Sequence, residues 1–182
     1  MNVGYTEALK QFPYTCFVFH DVDLIPENDK INYGCKHSPM HLSVAIDKFK
    51  YRLPYTSIFG GIEMFATEDY KTVNGFSNIF YSWGGEDDVL SSRLNLHGMK
   101  IHRQSVQTAR YTMIPHAAKD KQRTSELIAQ TDLLMRTARN HPQDDGLSSL
   151  QYKVNDIVDH QLYTLIKVDL QKEREETFGL TL

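Results

Sequence analysis

Cys16-Phe17-Val18-Phe19-His20-Asp21-Val22-Asp23 is the stretch on which the fold turns. Its short, nearly continuous apolar run suits a buried parallel strand, covered on both faces. The two aspartates fall at the carboxyl end of that strand, and in open α/β sheets this is the end outside which ligands gather. The same residues therefore predict an α/β fold and the edge of the sheet where chemistry occurs.

Ahead of this strand, residues 2–12 read as a helix already under way, with Val3, Ala8, Leu9 and Phe12 at helical spacing and no clear capping residue before them. Behind it, 24–34 reads as a loop, 42–46 and 58–65 as further strands, and Pro54 as a breaker. Thr67 is the expected N-cap of a short helix and Asn74-Gly75 its stop. Trp83-Gly84-Gly85 reads as a hinge into a helix that starts with Glu86-Asp87-Asp88 and carries Val89, Leu90, Leu94 and Leu96. Residues 100–103 and 110–114 suit short strands, 125–139 an amphipathic helix, and 150–158 with 162–170 a terminal strand pair. Residues 1–170 form one expected domain; 171–182, rich in Glu and Lys, form a frayed tail.

A chain of 182 residues with 41% hydrophobic and 24% charged residues can build one sizeable core. Its net charge of -3 supplies no basic field for nucleic acid or anionic lipid, so neither is an expected partner. No stretch approaches the roughly 20 apolar residues of a membrane helix, and the first residues lack the pattern of a signal peptide. Cys16 and Cys35 flank a loop rich in Pro and Asp. Two unrelated buried thiols and a disulfide are equally consistent with that spacing; a disulfide would imply an oxidising lumen.

Asp21 and Asp23 place two hard oxygen ligands at a strand end, a spacing suited to a divalent ion and the phosphates it carries. Taken alone, Asp-x-Asp is more often a solvated turn. Glu86, Asp87 and Asp88 are more telling, because clustered carboxylates raise one another's pKa and can leave one poised as a general base. Simple capping of the helix start would use the same residues. Trp83 beside two glycines suits a mobile lid better than packing. His116, in the loop that Pro115 enforces, could ligate a metal, whereas the soft thioether of Met113 reads as core. No Walker-type loop, Gly-x-Ser-x-Gly elbow, His-Glu-x-x-His or Cys-x-x-Cys occurs.

In order along the chain stand Asn-Val-Gly-Tyr, Thr-Cys-Phe-Val-Phe-His-Asp-Val-Asp-Leu-Ile-Pro, Phe-Gly-Gly, Asn-Gly-Phe, Trp-Gly-Gly-Glu-Asp-Asp, Met-Ile-Pro-His and Asp-Gly-Leu-Ser-Ser-Leu. This series resembles the β-1,4-galactosyltransferase family from Asn2 to about Asp169. The resemblance implies a GT-A-like α/β fold, a type II membrane enzyme of the Golgi lumen, a UDP-sugar donor with Mn²⁺, and inversion at the anomeric carbon. It assigns the metal to Asp23, Met113 and His116, overturning the reading of Met113 as core. It places Asp21, Val22, Lys48, Ile58, Gly61 and Trp83 at the donor. Tyr55, Glu86, Asp87 and Asp88 fall at the acceptor, a terminal N-acetylglucosamine on glycolipid or glycoprotein. Asp87 is the implied catalytic base, Trp83 the lid, and Cys16 with Cys35 the disulfide.

Ile58 precedes Phe59-Gly60-Gly61 where galactose-transferring members carry a Tyr that crowds the donor's C2 substituent. An aliphatic side chain there implies UDP-GalNAc as donor; the alternatives are UDP-Gal, or a catalytically incomplete sugar-binding fragment. The family's catalytic domains are longer at the amino end, where a Pro-Phe-Arg-x-Arg-type segment and an Asn-Arg-containing segment build the nucleotide pocket. Neither occurs here, nor does a membrane anchor, so a partial domain is expected. The match is loose between His116 and Asp145, where Leu133 and Leu134 are assigned near the acceptor's N-acetyl group.

Overall fold

A computed structural model of the chain describes residues 1–81, 84–115 and 125–170. Helix α1 (Asn2–Gln11) leads into β1 (Cys16–His20), β2 (Leu24–Pro26), β3 (Met40–His41) and β4 (Ala45–Ile46). Strand β5 (Ile62–Ala66), α2 (Thr67–Thr72), α3 (Glu86–Leu96), β6 (His102–Arg103) and β7 (Arg110–Met113) follow, then α4 (Ser125–Asn140) and a hairpin of β8 (Lys153–Asp159) and β9 (Thr164–Asp169). One sheet has the order β1-β5-β3-β6, a second β2-β7-β4, and the hairpin stands as a third.

The expected parallel direction of β1 is wrong. The strand runs antiparallel to β5, with Cys16 opposite Ala66 and His20 opposite Ile62. Parallel pairing among the described residues is between β3 and β6 and between β4 and β7. The apolar run reports faces, not direction: Phe17 and Phe19 pack into a core under the helices with Tyr5, Tyr70 and Leu90, while Cys16 and Val18 pack against Leu42, Met64 and Tyr111.

Other boundaries shift for traceable reasons. The chain passes from one sheet to the other within 42–46, so the expected strand is two short ones; Leu42 still donates to the Ile62 carbonyl at 2.9 Å, whereas Ala45 pairs with Arg110. Strand β5 starts only at Ile62, because Gly61 sits at φ +93° and breaks the extended run. The expected loop at 24–34 contains β2. Thr67 opens α2 instead of capping it, and its hydroxyl donates to the Tyr14 carbonyl at 2.6 Å. On α1 the buried side is Asn2, Tyr5 and Glu7, and Phe12 is exposed. Asn2 decides that orientation: its amide donates to Phe76 O at 2.7 Å and accepts from Tyr70 Oη at 2.5 Å. Leu96, expected on the apolar side of α3, is exposed.

Two ties fix this frame. A disulfide joins Cys16 and Cys35, as the resemblance implied, and closing a loop of that size restricts the unfolded chain by roughly 3 kcal/mol. Beneath α3, Arg93 is buried and donates to Gly75 O at 2.8 Å and to Asp145 O at 2.7 Å, with the Asp145 carboxylate 3.3 Å away. That carboxylate also accepts from Ser77 Oγ and, at 2.8 Å, from Asn78 N. No helix among the described residues is long and apolar enough to cross a membrane.

Candidate active site

The carboxylates gather where three pieces of chain meet: the β1–β2 link, the loop from Tyr55 to Gly61, and the start of α3. Asp21 donates its backbone N–H to Gly61 O at 2.8 Å, which ties the first of these to the second. A side chain at Gly61 is excluded twice, by the positive φ and by Ser43 Oγ, 2.7 Å from where its Cβ would sit. Strands β2 and β7 pair Leu24 with Met113, and Ile114 N donates to Asp23 O at 2.7 Å. The backbone of Asp23 is therefore tied to Ile114, which follows Met113 at the end of β7. The Met113 N–H in turn reaches Asp47 Oδ1 at 2.9 Å, which also accepts from Lys48 N at 2.6 Å, so Lys48 lies beside the same end of β7.

Gly85, at φ +95°, turns the chain sharply into α3 and leaves Glu86, Asp87 and Asp88 in its first turn. There the unsatisfied backbone N–H groups favour negative charge. Asp88 N donates to Asp87 Oδ1 at 2.9 Å, and Tyr55 Oη donates to Asp88 Oδ1 at 2.9 Å. Asp87 Oδ2 lies against Gly60, so close that a Cβ there would stand 2.3 Å from it. Burial first, then the charges of Asp88 and Glu86, push the Asp87 carboxyl up to about 6. Asp21 is raised by burial and then by Asp23, with Asp87 adding to the effect. The Tyr55 phenol is raised by burial and then by Asp87. An acid of this kind is half-charged near pH 6 and mostly charged at neutrality, which suits a general base, while the mutual repulsion around it is what a cation would relieve.

Asp21, Asp23, Gly61, Tyr55, Asp87, Asp88 and Met113 thus lie on three pieces of chain linked by backbone and side-chain contacts. Ile58 is half-buried on the same loop, and Val22 is 97% exposed beside the aspartates. Trp83 and His116 lie outside the described residues. Leu134 does not line an open site: it is core, packed with Ile79, Val89 and Ala138 between α3 and α4, and Leu133 is exposed.

Sequence reading missed four polar residues under the site. Glu63 is buried in β5 between Phe19 and His41, and burial, then Asp21 and Asp87, hold its carboxyl well above the usual range. A charge inside the apolar run Ile62-Glu63-Met64-Phe65 was a visible signal. His41, Ser43 and Arg103 gave none, because the loop carbonyls they hold are distant in sequence. Among the described residues no cluster of three or more His, Cys, Asp or Glu side chains is placed to hold a metal ion. The Asp23 backbone bond to Ile114 brings two members of the expected set, Asp23 and Met113, to the same end of β7, with Asp21 close by.

A family model described as the N-terminal region of glycosyl transferase group 7 matches residues 1–36, and one described as the N-terminal domain of galactosyltransferase matches 40–117. β-1,4-Galactosyltransferase 1 of Homo sapiens is 44% identical over 174 residues, covering 93% of this chain and 42% of the relative. β-1,4-Galactosyltransferase 4 of Cricetulus griseus is 43% identical over 169 residues, covering 93% and 48%. The chain thus spans less than half the length of these relatives. The catalytic domain of Drosophila β-1,4-galactosyltransferase 7, solved with xylobiose, superposes with a TM-score of 0.77 at 26% identity, covering 98% of this chain and 76% of that one. A mutant of that enzyme with manganese, UDP-Gal and xylobiose gives 0.75 at 25% identity. The expected GT-A architecture is borne out by these superpositions, and with both family models in sequence order along it the chain belongs to the β-1,4-galactosyltransferase family.

Proposed function

We propose that this chain carries the catalytic centre of a metal-dependent inverting glycosyltransferase that moves N-acetylgalactosamine from UDP-GalNAc to the 4-hydroxyl of a terminal β-linked N-acetylglucosamine. The observation that carries the reading is Asp87: a carboxyl raised towards neutrality, set against the Gly60 backbone and next to the Tyr55–Asp88 pair. In its charged form Asp87 takes the proton of the acceptor hydroxyl. The oxygen forms a bond to the anomeric carbon as the bond to the UDP oxygen breaks, and configuration inverts. Glu86 and Asp88 bind sugar hydroxyls; Glu86 has a buried Oε2 with no hydrogen-bond partner among the described residues. Trp83 closes over the donor and excludes water.

Asp23, Met113 and His116 would hold the Mn²⁺, which when bound neutralises the departing diphosphate. Asp21, Val22 and Lys48 flank the nucleotide side of this site. A place in the Golgi lumen accords with the Cys16–Cys35 bridge, which needs an oxidising compartment.

The test is transfer from UDP-GalNAc and UDP-Gal to a β-linked N-acetylglucosamine acceptor, with Mn²⁺ or with a chelator. Chelator-sensitive transfer with UDP-GalNAc preferred is the expected result. Binding of acceptor without transfer would reduce the chain to a sugar-binding module. Ile58→Tyr should reverse the donor preference by about 10–200-fold, the discrimination available from filling or emptying a small pocket. An unchanged donor ratio would remove Ile58 from the argument while leaving the transferase reading intact.

A further inference from the structure

The loop that backs Asp87 and carries Ile58 is held from below by polar groups that belong to none of the sugar- or metal-binding positions. Gly60 O accepts from His41 Nε2 at 2.9 Å and from Ser43 Oγ at 2.9 Å, so both of its lone pairs are engaged. Ser43 Oγ also accepts the Ile62 N–H at 3.0 Å. Arg103 Nη2 donates to Thr56 O at 2.9 Å and to Ile58 O at 2.8 Å, and its Nε reaches His41 Nδ1 at 3.4 Å. His41 and Ser43 are buried, so each lost bond leaves a polar group that water cannot readily satisfy.

We propose that His41, Ser43 and Arg103 act together as a positioning clamp: they lock the 56–62 backbone so that Gly60 backs Asp87 and Ile58 stays at the donor. The clamp rests on the transferase reading above, but on residues that reading does not use. Its reach is set by the peptide between Gly60 and Gly61. Gly60, at one end of this unit, lies against Asp87 Oδ2, and Gly61, at the other end, begins the next peptide, whose carbonyl receives the Asp21 N–H, so rotating the unit would disturb the base and the first aspartate of the metal motif together. A carbonyl with both lone pairs bonded to buried donors cannot rotate freely. The imidazole tautomer follows from its neighbours: Gly60 O can only accept, so Nε2 carries the proton, and Nδ1 accepts from Arg103. Burial and the Arg103 charge lower the His41 pKa to about 4, so the ring stays neutral throughout the working range of Asp87.

The experiment compares four variants of the full chain with Mn²⁺, both UDP-sugars and the N-acetylglucosamine acceptor. His41→Gln keeps an N–H near the Nε2 position; His41→Asn moves it to the Nδ1 position. Ser43→Ala and Arg103→Lys remove the remaining bonds. His41→Asn and Ser43→Ala should lower kcat by about 10–100-fold, the cost of an ångström-scale misplacement, with donor KM changed less than about threefold. His41→Gln should recover most of the loss. Arg103→Lys should move the donor ratio towards unity. Equal activity of the Gln and Asn variants, or losses that appear in KM instead of kcat, would overturn the clamp.

If the unaltered chain transfers nothing, it is the transferase reading that fails. Hydrogen exchange at the Ile62 and Asp21 amides then decides the clamp. Exchange at least about tenfold faster in His41→Asn than in His41→Gln supports it, and equal rates overturn it.

Discussion

Asp87→Asn is expected to lower kcat by about 10²–10⁴-fold, the usual contribution of a positioned general base, with both KM values within a few-fold of the parent. The amide is nearly isosteric, so it can still accept the Asp88 N–H and still fit against Gly60; what it cannot do is take a proton. The parent enzyme should lose kcat tenfold per pH unit below about 6, as Asp87 becomes protonated, and the variant should lack this acid limb. Linkage runs the other way. A carboxyl whose folded pKa is raised from 3.8 to about 6 makes its stability contribution at low pH and loses it as pH rises through that interval. Asparagine escapes that loss, so the variant should melt at or above the parent's temperature at pH 7. An Asn variant with full turnover and an intact acid limb would place the base elsewhere.

Arg93→Met should cost roughly 3–5 kcal/mol, the penalty for breaking a buried ion pair from one side. In a domain of this size that is on the order of 10 °C in melting temperature. The guanidinium is almost wholly enclosed and serves four acceptors at once: Asn74 O, Gly75 O, Asp145 O and the Asp145 carboxylate. Removing it takes the cation away from a carboxylate that is itself 1% exposed and takes a donor away from three buried carbonyls. It also loosens the underside of α3, whose other end presents Asp87. Thermal melts at pH 7 measure the effect, and a loss under about 3 °C would show that the surroundings re-solvate the pair.

The parts of the fold legible in the sequence are those whose causes are local. Gly84-Gly85 followed by three acidic residues marked the start of α3 to the residue, because a tight turn and a helix N-terminus each favour those residue types. The strand pair at the carboxyl end was visible in its alternation. The direction of β1 was not, because apolar content says how many faces are covered and nothing about the partner strand. The passage of 42–46 between sheets was hidden for a similar reason: every residue in it is buried, so no change of period marked the crossing. At the site, the carboxylates could be named from spacing and resemblance, whereas Glu63, His41 and Arg103 acquire meaning only from neighbours far along the chain. Met113 shows both cases at once, packed against the core between the sheets and yet one residue before Ile114, which bonds the Asp23 carbonyl.

Gly60 and Gly61 stand side by side and are glycine for different reasons. At Gly61 the backbone itself demands it, through a positive φ and a hydroxyl where the side chain would go. At Gly60 the φ angle is outside the left-handed region, and what fills the space is the movable tip of Asp87. Alanine at 60 can be housed by pushing that carboxylate aside, and alanine at 61 cannot be housed so easily. A mutational screen scored on protein abundance would therefore reject position 61 and pass position 60, and only a screen scored on product would reveal that the first glycine is kept for turnover and the second for folding.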